Sequence, residues 1–396
     1  MLKKVSPYFL YILGVVLFIY SAFVVIRSSI VDGHLDYEIY WATGKDVLAG
    51  NPLYDGIRNY KANPDFNYGF VYPPLAAFLF ALFALMPYNL SLIVWTIFNL
   101  ILLVILMTIA VKVATGSDFR PATWFKALGL TGFMLLTEPA SNQFTLGQIS
   151  VILAVLIYVD IFCLPQRYKG ILLGIAAAIK VTPFFFMLFF LIKKDWWSIL
   201  RCGLSFVFFN VIFMLYSASE VIYYWTEGLG AAGGSRPGWR FNESAQGLIT
   251  SLWPDIPDLQ LKALSGIILL LTVAIIFFAH KHNSLVELFY FAVAGLLLGS
   301  PLSAPNHWLP LFGIVALLCA PRAHILGRFS GLLFFLAGVW QFYANRAYEY
   351  PNGTANFFEM GFAPSVGNFA VGWAGVIIFI LLGTKIILTH LRAVRA

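Results

Sequence analysis

"GILLGIAAAIKVTPFFFMLFFLIKK" (170–194) settles the class of this chain. The run is apolar, yet it ends in Lys193 and Lys194 and is preceded by Arg167 and Lys169. Basic flanks mark the cytoplasmic side of a membrane, so both ends belong on one side. A single span cannot begin and end there. At the centre stand Lys180 and Pro183. Proline removes a donor from the helical ladder and disfavours helix at the residue before it. The run therefore predicts two short helices meeting at Lys-Val-Thr-Pro. Irregular backbone at membrane depth must line a polar cavity or be buried in protein. An ammonium group there costs roughly 3 kcal/mol even on lenient insertion scales, so Lys180 is expected to face an anion rather than snorkel to an interface.

The rest of the chain has the same character. It holds 396 residues, of which 60% are hydrophobic and only 11% charged, with a mean hydropathy of +0.84. Soluble domains carry about twice that share of charge. A polytopic all-α membrane protein follows. The run Tyr8 to Ile26 follows Lys3 and Lys4, is too long for a signal-peptide core and lacks a small-residue cleavage site, so it reads as a retained first helix. Cys163, Cys202 and Cys319 offer neither a metal spacing nor a disulfide pairing. The net charge of +7 is spread in small groups between apolar runs rather than in one patch, which argues against a nucleic-acid partner.

Those basic groups set a topology. Spanning helices are expected near 88–111, 124–137, 148–164, 198–217, 262–279, 284–300, 307–320, 329–344 and 366–388, with both termini cytoplasmic. The alternation works only if "YPPLAAFLFALFALMP" (72–87) does not cross. As a helix it would reach roughly 20 Å, against a hydrocarbon core of about 30 Å. It reads as a juxtamembrane or re-entrant helix started by its two prolines. Polar stretches then gather on the outer side: a first loop over 28–87, "TEPASNQFTLGQ" (137–148), a second large loop over 218–258, "GSPLSAPNHWLP" (299–310) and a loop over 345–365. In the first loop, Tyr37, Tyr40, Trp41, Gly44 and Leu48 follow helical spacing. Residues 37–49 should form an amphipathic helix on the membrane, with Asp36 at its N-cap, Glu38 complementing the helix dipole, and Gly50 and Pro52 ending it.

These residues also resemble a known family. In order, the Asp-containing "LDYEIYW", "AGNPLYD", "YPPL", "LGQISVILAVL", "GIAAAIKVTPFFFMLFFLIKK", "FNESAQGLI" and "SPLSAPNHW" are similar to glycosyltransferase family 87, the polyprenyl-phosphate-mannose-dependent mannosyltransferases of the GT-C superfamily. The resemblance runs through most of the chain. It implies one GT-C-type bundle over 1–396, with about 10–12 transmembrane helices and juxtamembrane helices in the first outer loop. It further implies an inverting transfer of a hexose, mannose by family, from a polyprenyl-phosphate donor to a glycolipid or glycan acceptor. The site would face outward from a bacterial inner membrane, with an acidic residue of the first outer loop as base. By position that base is Asp36. The chain departs from the family where Asn242-Glu243-Ser244 replaces a frequent Asn-Gln-Ser, and where His307 stands alone instead of paired.

The chemistry suits the residues on its own terms. Transfer from a lipid phosphate sugar needs a base within reach of the acceptor hydroxyl and cations that hold the departing phosphate. Lys180, His307, Arg236 and Arg240 are candidates for the phosphate; Glu38, Tyr40, Gln148, Asn242 and Glu243 are candidates for acceptor or sugar. His307 can equally be a hydrogen-bonded helix-start histidine. No nucleotide-binding loop appears, so the lipid-linked donor is a co-substrate and no cofactor is expected. Asp36-x-Glu38 has the form of an acidic metal pair, while a monophosphate can be handled by Lys and His alone; no metal ligand set is assigned. The competing class is a lipid or glycolipid transporter or flippase using a central Lys180 site. Against it stand the lack of an internal repeat and the gathering of polar residues on one side.

Overall fold

The computed structural model describes residues 7–31, 35–54, 58–59, 67–229, 238–239, 241–349 and 369–395. Arg236, Arg240 and the loop 345–365 from 350 onward lie outside the described residues. The described chain is almost wholly helical and divides into two compact units, residues 22–103 with 143–234, and residues 1–21 with 104–142 and 235–396. Five helices are long and apolar enough to cross a membrane: Tyr88–Thr115, Trp196–Gly228, Asp258–His282, Ile325–Asn345 and Ala370–Arg395. The protein is a multi-pass membrane protein.

In the first unit, helix α1 (Pro7–Val31) contributes its C-terminal part and α2 spans Leu35–Ala49. The start at Leu35 corrects the expected N-cap role of Asp36, which sits inside the first turn with Glu38. Both acids still complement the N-terminal dipole. The stop falls where the sequence puts it. Gly50 adopts a φ of +73°, the Gly50 amide donates to Val47 O at 3.3 Å, and the Asn51 amide donates to Asp46 O at 2.9 Å. That is a Schellman closure, which favours glycine at the left-handed position. Two short strands, β1 (Arg58–Asn59) and β2 (Asn67–Tyr68), pair antiparallel.

Helix α3 (Pro74–Ala84) starts on its two prolines and has 11 residues, about 16 Å, too short to cross. It packs against α2. Tyr40 stacks on Phe80 with ring centroids 4.3 Å apart, and a Cβ on Gly44 would lie 2.6 Å from the Phe80 carbonyl oxygen. Only glycine allows that approach.

Helix α4 (Tyr88–Thr115) follows, then α5 (Pro121–Met134) and α6 (Glu138–Leu146). Between α6 and α7 (Ser150–Tyr158) the chain bends by 118°, with Gly147 at a φ of +68°. A π turn over Val159–Cys163 prolongs α7. There Asp160, fully buried, accepts hydrogen bonds from the Gly170 and Leu173 amides and so caps α8 (Ile171–Ile179). The predicted break follows. Lys180 is extended at φ −152°, ψ 133°, a 3-10 turn covers Thr182–Met187, and α9 is only Leu188–Ile192. Helix α10 (Trp196–Tyr223) crosses α8 where a Cβ on Gly174 would meet the Cys202 carbonyl oxygen at 2.4 Å. Its path breaks at Ser217, and a π turn over Tyr224–Gly228 prolongs it.

In the second unit, α1 crosses α5 on glycines: a Cβ on Gly14 would lie 2.2 Å from Gly129 O, and one on Gly132 would lie 1.8 Å from Gly14 O. Small residues let membrane helices approach this closely. Helices α11 (Ala245–Leu252), α12 (Asp258–Ala279), α13 (Leu285–Gly299), α14 (Ile325–Glu349) and α15 (Ala370–Arg395) complete it. Residues Pro305–Cys319 form a continuous 3-10 helix. At about 2 Å per residue its 15 residues reach roughly 30 Å, so a segment too short as an α-helix attains bilayer thickness.

Candidate functional site

Four residues converge in the first unit, each at an end or a break of a helix. Asp36 is in the first turn of α2, Tyr72 precedes α3, Gln148 sits at the corner between α6 and α7, and Lys180 ends α8. Gln148 is the hub. Its Nε2 donates to Asp36 Oδ2, and its Oε1 accepts from the phenols of Tyr40 at 3.1 Å and Tyr72 at 3.3 Å. The Tyr40 hydroxyl also lies 3.1 Å from that of Tyr72. An ionised carboxylate can only accept, so the amide turns its N–H toward Asp36 and leaves its oxygen for the phenols, which then donate.

Gln148 is itself held. The Gln143 side chain donates to its carbonyl oxygen and to Asn99 Oδ1 at 3.3 Å, and Trp95 Nε1 donates to Gly147 O at 2.9 Å. Lys180 Nζ lies 5.5 Å from the centroid of the Tyr72 ring, within cation–π range. Lys180 also lies close enough to Asp36 for its charge to act on the carboxylate.

Asp36 keeps part of its surface accessible, although its carboxyl group is closely surrounded by protein. Burial is the largest influence and pushes its pKa up to about 6; the Gln148 hydrogen bond and the Lys180 ammonium oppose that rise. Burial also raises the phenols of Tyr40 and Tyr72, and the nearby Asp36 charge adds to the rise, so both remain neutral donors. Asp36 Oδ1 takes no hydrogen bond from the described residues. Among the described residues of this unit, the two acids with less exposed surface are occupied: Asp160 caps α8, and Glu220 accepts from the Leu53 and Tyr54 amides. Glu38 takes no hydrogen bond from the described residues and is half-buried. Among the described residues no three His, Cys, Asp or Glu side chains group as a metal site.

The other expected residues belong to the second unit. Asn242 Oδ1 accepts from the Ser303 amide at 3.0 Å, and the Glu243 amide donates to Ser303 O at 2.7 Å, stitching "FNES" to "SPLSAPN". Glu243 is fully buried and accepts from Gln341 Nε2 and from the Gly372 amide, while Gln341 Oε1 accepts from the Val371 amide. These two side chains cap α15. Burial, with a smaller push from Glu138, raises the Glu243 pKa to about 8 against those two hydrogen bonds. His307 Nδ1 accepts from the Ala304 amide at 3.2 Å, the helix-start role, which places the neutral ring's proton on Nε2. Tyr72, Gln143 and Glu220 were not singled out from sequence. Tyr72 lies inside the quoted "YPPL" and Gln143 inside the quoted "TEPASNQFTLGQ", while Glu220 gives no local signal.

Residues 70–305 match the profile of glycosyltransferase family 87. A polyprenol-phosphate-mannose-dependent alpha-(1-2)-phosphatidylinositol mannoside mannosyltransferase of Mycolicibacterium smegmatis is 33% identical over 208 residues, 49% of this chain and 46% of that protein. The chain thus spans about half the length of that relative. A polyprenol-phosphate-mannose-dependent alpha-(1-2)-phosphatidylinositol pentamannoside mannosyltransferase of the same organism is 29% identical over 301 residues, 74% of this chain and 71% of that one. The crystal structure of ArnT from Cupriavidus metallidurans bound to undecaprenyl phosphate aligns with a TM-score of 0.42 at 15% identity, over 94% of this chain and 77% of that one. Because the family profile covers more than half of its residues, the chain belongs to glycosyltransferase family 87.

Proposed function

We propose that the protein is an inverting mannosyltransferase of the GT-C type, moving mannose from a polyprenyl-phosphate donor to a glycolipid acceptor. Asp36 serves as general base, and the reaction takes place on the outer face of a bacterial inner membrane with both termini cytoplasmic. The donor class follows the names of the relatives, which are polyprenol-phosphate-mannose-dependent, and a glycolipid acceptor follows their phosphatidylinositol mannosides. One observation carries the reading: Gln148 fixes one oxygen of the carboxylate of a partly accessible residue, and the other oxygen takes no hydrogen bond from the described residues. A base needs that arrangement, oriented on one side and open on the other. Lys180, beside the same carboxylate, is assigned the departing phosphate. His307, Asn242 and Glu243, which make structural hydrogen bonds in the second unit, are not needed for this chemistry.

The test is direct. Membranes carrying the protein, incubated with radiolabelled polyprenyl-phosphate mannose and an extract of envelope glycolipids, should yield a labelled lipid that the Asp36→Asn protein does not make. Labelled product at equal rate from both proteins would remove Asp36 as base. Movement of intact donor across vesicles with no product would favour the flippase.

A further inference from the structure

We propose that Glu220 and Tyr54 are positioning residues for the base: together they form a strut that seats Tyr72 and, through Gln148, sets the proton affinity of Asp36. The inference rests on the reading of Asp36 as the reacting carboxylate. Every link lies within one unit. Glu220, 8% exposed, accepts the Leu53 amide at 2.7 Å and the Tyr54 amide at 3.1 Å, both on Oε2. The Tyr54 hydroxyl then donates to the Tyr72 carbonyl oxygen at 2.6 Å. Tyr72 in turn donates to Gln148 Oε1, and Gln148 donates to Asp36.

The strut hangs on the broken end of α10. Ser217 leaves helical geometry and a π turn follows at 224–228, so the segment between them is re-aimed. Single π turns inside helices are frequent at functional sites. The end of that segment and the start of the π turn also pack on Tyr54, with the Tyr223 ring at 5.4 Å and the Tyr224 ring at 5.8 Å. Just before the break, Tyr216 donates to Val47 O at 2.6 Å and ties down the end of α2, the helix that carries Asp36.

A carboxyl group buried 167 positions from the amides it accepts could simply hold a loop closed. The termination of the strut argues for more. Tyr72 is the residue that touches both sides of the site, the Gln148–Asp36 pair through its hydroxyl and the Lys180 ammonium over its ring. Hydrogen bonds in series polarise one another, so the Tyr72 donor strengthens the Gln148 N–H bond to the carboxylate. Among the described residues, the charged and titratable groups that act on that carboxylate or feel its charge are Lys180, Tyr40 and Tyr72. Of these, Tyr72 is the one whose backbone the strut holds, and its hydroxyl is the link that reaches the carboxylate. Loosening the strut should therefore raise the proton affinity of Asp36.

The test reads Asp36 itself. A hydrophobic carbodiimide adds to protonated buried carboxyl groups, and mass spectrometry of the Asp36 peptide across pH gives a labelling midpoint without any donor. In Tyr54→Phe, which removes one oxygen, and in Glu220→Ala, the midpoint should rise by about half a pH unit to one unit, as expected for one weakened hydrogen bond. Glu220→Gln keeps an oxygen facing both amides and should recover most of the wild-type midpoint. In a Tyr72→Phe background, Tyr54→Phe should add no further shift. An unmoved midpoint in Tyr54→Phe, or shifts that add in the double variant, would overturn the strut even if Glu220→Ala fails to fold. Because no transfer is measured, a protein that labels as expected but moves no mannose would refute the proposed reaction and leave the strut standing.

Discussion

Asp36 shares one oxygen with Gln148 and lies near the Lys180 ammonium, so its charge is balanced but not quenched. Replacing it by Asn keeps shape and most hydrogen bonding while removing the ability to take a proton. Asp36→Asn should lower transfer by about 10²–10⁴-fold, the range for loss of a general base. Glu38→Gln should be much milder, and the reverse ranking in a transfer assay would move the role to Glu38. With the Asp36 pKa raised to about 6, kcat/KM should fall as pH drops through about 6, the base being lost by protonation. The stability sign is opposite. A raised acid contributes stability that is complete below its unfolded value, and this is lost as pH rises through about 6. The melting temperature of Asp36→Asn at pH 8 should equal or exceed wild type; a marked drop there would mean that the charged carboxylate holds the fold together. For Lys180, adding donor lipid should raise the melting temperature of wild type but not of Lys180→Met, with Lys180→Arg intermediate because it keeps charge but not reach. A full shift in Lys180→Met would take the phosphate away from this residue.

The elements that place these side chains depend on close backbone approaches and on breaks. Gly44 admits the Phe80 carbonyl of α3, so α2 and α3 can carry Asp36 and Tyr72 toward one amide. Gly44→Val should destabilise by about 1–3 kcal/mol through overpacking, and transfer should fall with it. Gly203→Ala in α10 meets nothing within 4 Å and should be neutral or slightly stabilising in the same thermal melt. Equal effects at the two positions would show that the α2–α3 crossing does not matter. Much of this was legible from sequence because the signals are local: Gly50 ends α2, two prolines start α3, and Pro183 breaks the run at Lys180. The start of α2 was misplaced by two residues, the usual uncertainty of helix ends. The sequence makes Gln148 a candidate for sugar or acceptor, and its bond to Asp36 spans 112 positions, a distance at which no periodicity reports contact. Asp160 and Glu220 hid for the same reason, since a carboxylate that caps a distant backbone looks from sequence like any other acid.

Across the whole chain, the positions of charge and the lengths of helices must agree on one path through the bilayer. Helix α4, with 28 residues, is about 42 Å long and can cross, whereas α3 at about 16 Å cannot. The residues before α3 and before α4 should therefore share a side, and those after α4 should lie on the other. A protein whose three natural cysteines are replaced by Ala allows this to be measured in intact cells. Val71 is 50% exposed, Asn89 is exposed at the start of α4, and the Asp118 side chain is 79% exposed beyond its end. Val71→Cys and Asn89→Cys should both react with an impermeant maleimide added from outside, while Asp118→Cys should react only after the membrane is opened. Because Tyr72 follows Val71 directly and donates to the amide that holds Asp36, outside labelling at 71 would also put the proposed base on the outer face. Labelling of 71 and 89 from opposite sides would make α3 a true crossing and reverse every assignment downstream. Labelling of both from inside only would place the carboxylate on the face opposite to the one proposed.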